Sequence, residues 1–285
     1  MLSPIKQYIP SVTNTFSRTM ATQPSIIPIN KLKHTLKQRT HVPLGTFLAE
    51  SKSTSTVQIL SNSKFDYITI DNEHGQYSTS DISELSRYAV LCGITPIVRV
   101  PDHQYHHLAQ SLDGGAQGLM IPRITDAIQL QQLISYTKFP PSGIRGNALG
   151  RSYTMFKSGN VVDAMNDSNQ NTLIIAQIET KQAIDNIHDI CNVDGVDVVL
   201  IGPNDLSIAL GVPGDIQCEL MQQSIQKVID ACHKTNGRVI PAIHHNSIEL
   251  AKFWLDRGMG MLSVSGDSGL LYTAASNVVN TLSKK

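Results

Sequence analysis

Residues 66–74 read Asp66-Tyr67-Ile68-Thr69-Ile70-Asp71-Asn72-Glu73-His74. The β-branched and aromatic run suits a strand, and it stops abruptly in Asp71-Asn72-Glu73-His74. Seven comparable runs lie around it: Leu44–Leu48, Thr95–Val100, Gly118–Pro122, Leu173–Glu179, Val196–Gly202, Arg238–Ile243 and Met261–Ser265. They are rich in Val and Ile, as strands buried on both faces are. Between them lie stretches of helical periodicity such as Thr79–Leu91, Thr180–Asn192 and Ile216–Thr235, with Ser80, Asn246 and Asp267 as expected N-caps. Strands alternating with helices in this way predict an α/β fold, a (β/α)₈ TIM barrel, which needs about 250 residues. Ile29–Gln38 is expected to form a helix closing the barrel bottom. The competing fold, a doubly wound sheet, wants a glycine-rich turn after its first strand, and Leu44–Ser51 offers none.

Length and composition agree with one barrel: 285 residues, 41% of them hydrophobic. A formal net charge of +0 gives no basic footprint for nucleic acid. No apolar run reaches the roughly 18 residues of a membrane span. Cys92, Cys191, Cys218 and Cys232 form no CxxC and read as reduced, mostly buried thiols of an intracellular protein. Residues 1–49 hold no Asp or Glu but carry Lys6, Arg18, Lys31, Lys33, Lys37 and Arg39 among many Ser and Thr. That is the composition of a mitochondrial presequence. Pro4, Pro10 and Pro24 interrupt any long amphipathic helix, so a tail without fixed structure is the alternative. The chain thus divides into residues 1–28, a tail or presequence, and a single domain over 29–285. Mitochondrial and cytoplasmic locations both stay open.

In such barrels the reactive groups stand at the carboxyl ends of the strands. Beyond Asp71–His74, the third run ends in Arg99-Val100-Pro101, the fifth in Gln177-Ile178-Glu179-Thr180 and the sixth in Gly202-Pro203-Asn204-Asp205. Glu179 and Asp205 come from adjacent strand ends and repel unless a cation or proton lies between them. Two carboxylates with water commonly hold Mg²⁺ or Mn²⁺; the bland alternative is two solvated loop acids. Asp205 lies where a helix begins, so the amides of Asn204 and Asp205 can meet an anion such as a substrate carboxylate, or serve only the helix start. Arg99 on an apolar strand needs a partner: it polarises a substrate carbonyl or pairs with Asp71. His74, beside acids at a strand mouth, suits general acid–base work. Glu73 is read as structural, pointing elsewhere. His244 and His245 end the seventh run and face the mouth or its rim, whereas His103, His106 and His107 read as ordinary helix histidines. The long connection over about residues 137–172, with Pro140-Pro141-Ser142-Gly143-Ile144-Arg145-Gly146, reads as functional.

Taken together, these stretches resemble the HpcH/HpaI aldolase family, metal-dependent class II aldolases acting on pyruvate and related 2-oxo acids, in a fungal-type form. The matching pieces are Phe65 through His74, Val98-Arg99-Val100-Pro101, and Leu112-Asp113-Gly114-Gly115-Ala116-Gln117 leading to Ile121-Pro122. They continue with Pro141 through Gly146, Ala176 through Thr180, Ile201 through Ser207 and Val264-Ser265-Gly266-Asp267, so the resemblance covers about residues 41–275. It implies a phosphoenolpyruvate/pyruvate-type barrel with one divalent metal, Mg²⁺ or Mn²⁺ with Co²⁺ as an option. Glu179 and Asp205 would be the ligands, and Gln177 would line the same site. Arg99 would hold the 2-oxo oxygen, the Asn204 and Asp205 amides the substrate carboxylate. His74 would be the base, oriented by Asp113.

That pairing meets a geometric obstacle. Asp113 ends a helix at the barrel end opposite His74, and a strand of ~6 residues at ~3.3 Å each spans ~20 Å. If Asp113 orients His74, it is therefore expected from a neighbouring chain, in a homo-oligomer with shared active sites; the alternative is that Asp113 caps the helix turn and never meets a histidine. The implied reaction is reversible aldol cleavage of a 4-hydroxy-2-oxo acid to pyruvate and an aldehyde, making the chain an aldehyde lyase. The alternatives are oxaloacetate decarboxylation in the same site, or a catalytically idle barrel with a binding role. The sequence departs from the family in Asn147-Ala148-Leu149-Gly150-Arg151-Ser152-Tyr153, a loop that helps shape the aldehyde pocket, and in Asn204 where a small residue is common. The identity of the aldehyde stays open.

Overall fold

The computed structural model describes residues 25–283. The tail or presequence expected over residues 1–28 falls outside the described residues except for its last four. There Ile27 is buried against Phe139, Tyr153 and Ala164. Eight parallel strands, β1 Leu44–Leu48, β2 Tyr67–Asp71, β3 Thr95–Arg99, β4 Gly118–Ile121, β5 Leu173–Ile178, β6 Val198–Ile201, β7 Ile240–His245 and β8 Met261–Gly266, close in sequence order into a barrel. Helix α1 Lys31–Gln38 precedes β1, followed by α2 Thr54–Asn62, α3 Thr79–Cys92, α4 Tyr105–Asp113 and α5 Ala127–Thr137 between the first strands. A 3₁₀ turn at Ser152–Thr154 and α6 Val161–Asn171 lead into β5. Then come α7 Lys181–Asp185, α8 Ile187–Asn192, α9 Pro203–Ala209, α10 Glu219–His233, α11 Ile248–Leu255 and the terminal α12 Asp267–Ser283. This is the (β/α)₈ architecture that the alternating runs predict.

Side-chain alternation divides the core into two layers. Ile68, Ile70, Val98, Leu119, Ile174 and Val199 point outward and pack under the helices. Phe47, Tyr67, Ile97, Met120, Ile175 and Leu200 fill the interior, where Leu32 and Leu36 of α1 join them. Helix α1 therefore closes the bottom, anchored by the Leu32 amide on Thr95 Oγ1 at 3.2 Å and Lys33 on Asp197 at 3.0 Å. The mouth is left to polar residues.

Several boundaries differ from the sequence expectation for local reasons. Ser78, not Ser80, caps α3, in a capping box with Asp81. Ser247, not Asn246, caps α11. Asp267 is the first residue of α12, and its carboxylate accepts the amides of Ala49, Glu50 and Ser51. The helix expected over Thr180–Asn192 breaks at Asn186, whose side chain donates to Thr125 O. Strand β7 begins two residues late because Arg238 is tied to the carbonyls of Cys191 and Val193. No described residue of α12 is buried, and Leu271, Tyr272, Val278, Val279 and Leu282 are exposed along it.

Gly45 shows how tightly the interior is packed. A Cβ there would sit 2.2 Å from the Tyr67 ring, while the Tyr67 hydroxyl is fixed at 2.7 Å to Leu262 O. Gly45→Ala is expected to destabilise the protein by about 1–3 kcal/mol, the usual effect of overpacking a core. Urea denaturation checks this; an unchanged midpoint would mean that the ring has room to move.

Candidate active site

The carboxyl ends of β2 and β3 bring together a buried ion pair. Asp71 and Arg99 are register partners. Arg99 donates from Nε to Asp71 Oδ1 at 2.9 Å and from NH2 to Oδ2 at 2.7 Å. Its NH1 stands 3.3 Å from Glu73 Oε2, and the Phe47 ring lies 5.0 Å from the guanidinium carbon. Burial pushes the Asp71 carboxyl up, but the Arg99 hydrogen bonds and charge, with the amides of His74 and Glu73, outweigh it and leave it below the usual carboxylate value.

Glu73 corrects the sequence reading, which pointed it away from the site. Its buried side chain bridges two guanidiniums, Arg99 through Oε2 and Arg123 through Oε1 at 3.1 Å. Strand alternation ends at Asp71, because the chain turns there: the Gly75 amide donates to Asp71 O at 3.1 Å, and the Glu73 and His74 amides donate to Asp71 Oδ1. A side chain at position 75 would meet Asp71 O at 2.2 Å, so the turn requires glycine. His74 is thereby set on the rim, exposed, facing a cavity of about 580 Å³.

Across the mouth, Gln177 donates from Nε2 to Glu179 Oε2 at 2.8 Å, and the Arg123 amide donates to Glu179 Oε1 at 2.8 Å. Burial lifts the Glu179 carboxyl to about 7; the Arg123 amide works against this, while the Glu73 and Asp205 charges add to it. Asp205 lies in the first turn of α9, where Asn204 and Asp205 line the cavity. Their amides belong to the four at a helix start that lack intrahelical partners.

The hard divalent cation implied by the sequence fits these residues. Gln177 Oε1 is buried without a hydrogen-bond partner, and Glu179 is a buried carboxylate with two acids nearby. At Gly202 a Cβ would come within 3.0 Å of both Gln177 Nε2 and Glu179 Oε2, so the absence of a side chain keeps the place open. Among the described residues no three His, Cys, Asp or Glu side chains converge on one point. The donor set would be two carboxylates and an amide oxygen, with the remaining positions left to water and substrate.

The two terminal histidines of β7 separate. His244 faces the cavity, with Nδ1 3.1 Å from Ser263 Oγ and its ring 4.7 Å from Phe47. Burial and the Arg99 charge push it down to about 4, so it is neutral near pH 7. His245 points outward and accepts the Ser247 amide. His103 contacts Pro122 O and stays outside the site. Asp113 ends α4 away from the mouth and does not meet His74 within the chain. It pairs with Arg145, whose guanidinium lies 4.6 Å from the Phe139 ring and 5.1 Å from Tyr153. Sequence reasoning missed Glu73 and Arg123 as site residues. Arg123 follows Pro122 directly after the fourth strand, so the same strand-end rule reaches it.

Comparison with known proteins agrees with this picture. The profile of the family described as HpcH/HpaI aldolase/citrate lyase matches residues 44–274. The 5-keto-4-deoxy-D-glucarate aldolase of Shigella boydii is 30% identical over 260 residues, covering 90% of this chain and 97% of the relative. The solved HpcH/HpaI aldolase of Desulfitobacterium hafniense is 31% identical with a TM-score of 0.84, over 89% of this chain and 97% of its own. A family protein from Burkholderia cenocepacia is 27% identical with a TM-score of 0.82, over 89% and 99%.

The raised Glu179 value fixes the sign of a pH effect. The folded, metal-free protein holds this proton more tightly than the unfolded chain, so the associated stability is present at low pH and lost as pH rises towards about 7. Glu179→Gln is expected to raise the urea midpoint of the metal-free protein at pH 8 and to abolish Mn²⁺ binding in calorimetry. Wild-type Mn²⁺ affinity should fall as pH drops below about 7, since the ligand must lose its proton. Undiminished Mn²⁺ binding by the variant would remove Glu179 from the metal site.

Proposed function

The chain belongs to the HpcH/HpaI aldolase/citrate lyase family, a metal-dependent family of carbon–carbon lyases, and from that premise we propose that it cleaves a 4-hydroxy-2-oxo acid reversibly to pyruvate and an aldehyde. The observation that carries this reading is Arg99, a fixed cation held by Asp71 and Glu73 at a cavity that also presents His74, Gln177 and Asp205. His74 takes the proton from the C4 hydroxyl as the C3–C4 bond breaks and its electron pair moves onto the 2-oxo group. Arg99 faces the oxygen on which that charge develops and needs no reorganisation to stabilise it. The Asn204 and Asp205 amides hold the C1 carboxylate, and a proton delivered to C3 completes pyruvate. Glu179, Asp205 and Gln177 would hold Mg²⁺ or Mn²⁺, which supplies Lewis acidity to the 2-oxo acid. A keto-deoxy sugar acid of the kind named for the Shigella boydii relative is the first substrate to assay.

We further propose a homo-oligomer with shared active sites. The His74 ring has no acidic partner among the described residues of its own chain. Asp113 is fixed by Arg145 yet one third exposed, so it can be offered to a neighbouring chain. The apolar residues exposed along α12 supply surface to bury in that contact. A second reading, decarboxylation of oxaloacetate, is favoured by one observation. The groups that stabilise an enolate are complete within a chain, whereas the base lacks its orienting acid.

His74→Ala is expected to slow aldol cleavage about 10²–10⁴-fold, the usual worth of a general base, and to slow oxaloacetate decarboxylation much less, since loss of CO₂ needs no such base. Equal losses would make His74 a binding residue. Co-expression of His74→Ala with Asp113→Ala chains is expected to restore partial aldol activity through mixed interfaces. An active monomer, or Asp113→Ala with an unchanged aldol rate, would sink the shared site.

A further inference from the structure

Arg123 stands on the rim after β4, between the strands that carry Arg99 and Glu179. Three features set it apart. Its backbone is left-handed, with φ 54, a conformation rare for residues with a side chain and often found at functional sites. The turn so made sends its amide to Glu179 at 2.8 Å and its guanidinium to Glu73 at 3.1 Å. It is also the outer of two guanidiniums on one carboxylate: the Arg99 side chain is 9% exposed, that of Arg123 69%.

The two arginines therefore differ in task. Arg99 is held on every side, each of its three nitrogens facing Asp71 or Glu73, with two of its five N–H groups left for a ligand in the cavity. Arg123 gives only NH2 to Glu73, and among the described residues its Nε and NH1 have no partner. Glu73 holds the guanidinium in place while one edge of the fork stays open, and such an edge matches a carboxylate in bidentate geometry. Because Arg123 lies outside Arg99, the part of a ligand that reaches it is the end projecting from the cavity, away from the 2-oxo group.

We infer that Arg123 is a specificity-determining residue that binds an anionic group on the distal end of the substrate, the half released as the aldehyde. This rests on the proposed binding of a 2-oxo acid at Arg99. Arg99 and Arg123 are one carboxylate apart, a gap that the chain of a small 2-oxo diacid spans. The contact is at the surface, so salt screens it.

The test uses binding, not turnover. Mn²⁺-loaded protein is titrated calorimetrically with 2-oxoglutarate and with 2-oxopentanoate, which share a five-carbon 2-oxo acid chain and differ in the terminal carboxylate. The wild type is expected to prefer 2-oxoglutarate by tenfold or more, with the preference shrinking as salt is raised. In Arg123→Gln the ratio should fall below twofold, and Arg123→Lys, which keeps charge without the fork, should lie between. No preference in the wild type, or one that survives in Arg123→Gln with its fold verified by circular dichroism, overturns the inference. Failure to cleave any 4-hydroxy-2-oxo acid while the ratio behaves as described would overturn the proposed activity alone.

Discussion

Arg99 carries a guanidinium buried at the barrel mouth, so its charge has to be answered by carboxylates close at hand. Asp71 answers two nitrogens and Glu73 the third. Much of the mouth follows from this. Asp71 also takes the amides of Glu73 and His74, so the acid that neutralises Arg99 is the one that shapes the turn presenting His74. Phe47 underlies the guanidinium and meets the neutral His244 ring. Removing either partner of such a buried pair leaves an uncompensated charge, which costs about 3–5 kcal/mol. The pair is thus the scaffold of the mouth.

The same bookkeeping explains the other side of the cavity. Asp71, Glu73, Glu179 and Asp205 face Arg99 and Arg123, an excess of two negative charges. Glu179 absorbs part of the strain by holding a proton up to about 7. A divalent cation would remove the need for that proton, and the unpartnered Gln177 Oε1 would offer it a neutral third donor. The Arg123 amide and Gln177 fix the Glu179 oxygens without neutralising the carboxylate.

The barrel was legible in the sequence because its strands are buried on both faces and read as apolar runs whose ends can be found without knowing their neighbours. Six of the seven candidate residues could be picked by the same rule, since strand ends converge at one mouth: His74, Arg99, Gln177, Glu179, Asn204 and Asp205. Asp113 came only through family resemblance. What could not be read depends on turns and on charge. Glu73 was misdirected because the turn that carries its carboxylate to Arg99 and Arg123 is made by the Asp71 side chain, a contact that the residue order does not reveal. Arg123 lies within reach of the strand-end rule, but the left-handed turn that aims it at Glu73 has no local sequence sign. The split between His244 and His245 needed the true end of β7, which runs through both histidines so that they alternate between the two faces of the strand.

The closed bottom and open mouth bear on how the barrel meets its surroundings. Helix α1 puts Leu32 and Leu36 into the barrel interior, so the lower end is finished within one chain. Helix α12 is different: it begins at the mouth, held by Asp267 to the β1–α2 loop, and then runs on without a buried residue. Helices in proteins gain most of their stability from packing an apolar face. Leu271, Tyr272, Val278, Val279 and Leu282 are exposed among the described residues. The unpacked face therefore starts beside the active-site mouth, where Tyr272 already lines the cavity. A second chain covering α12 in the proposed assembly would lie beside the cavity that Tyr272 and His74 both line.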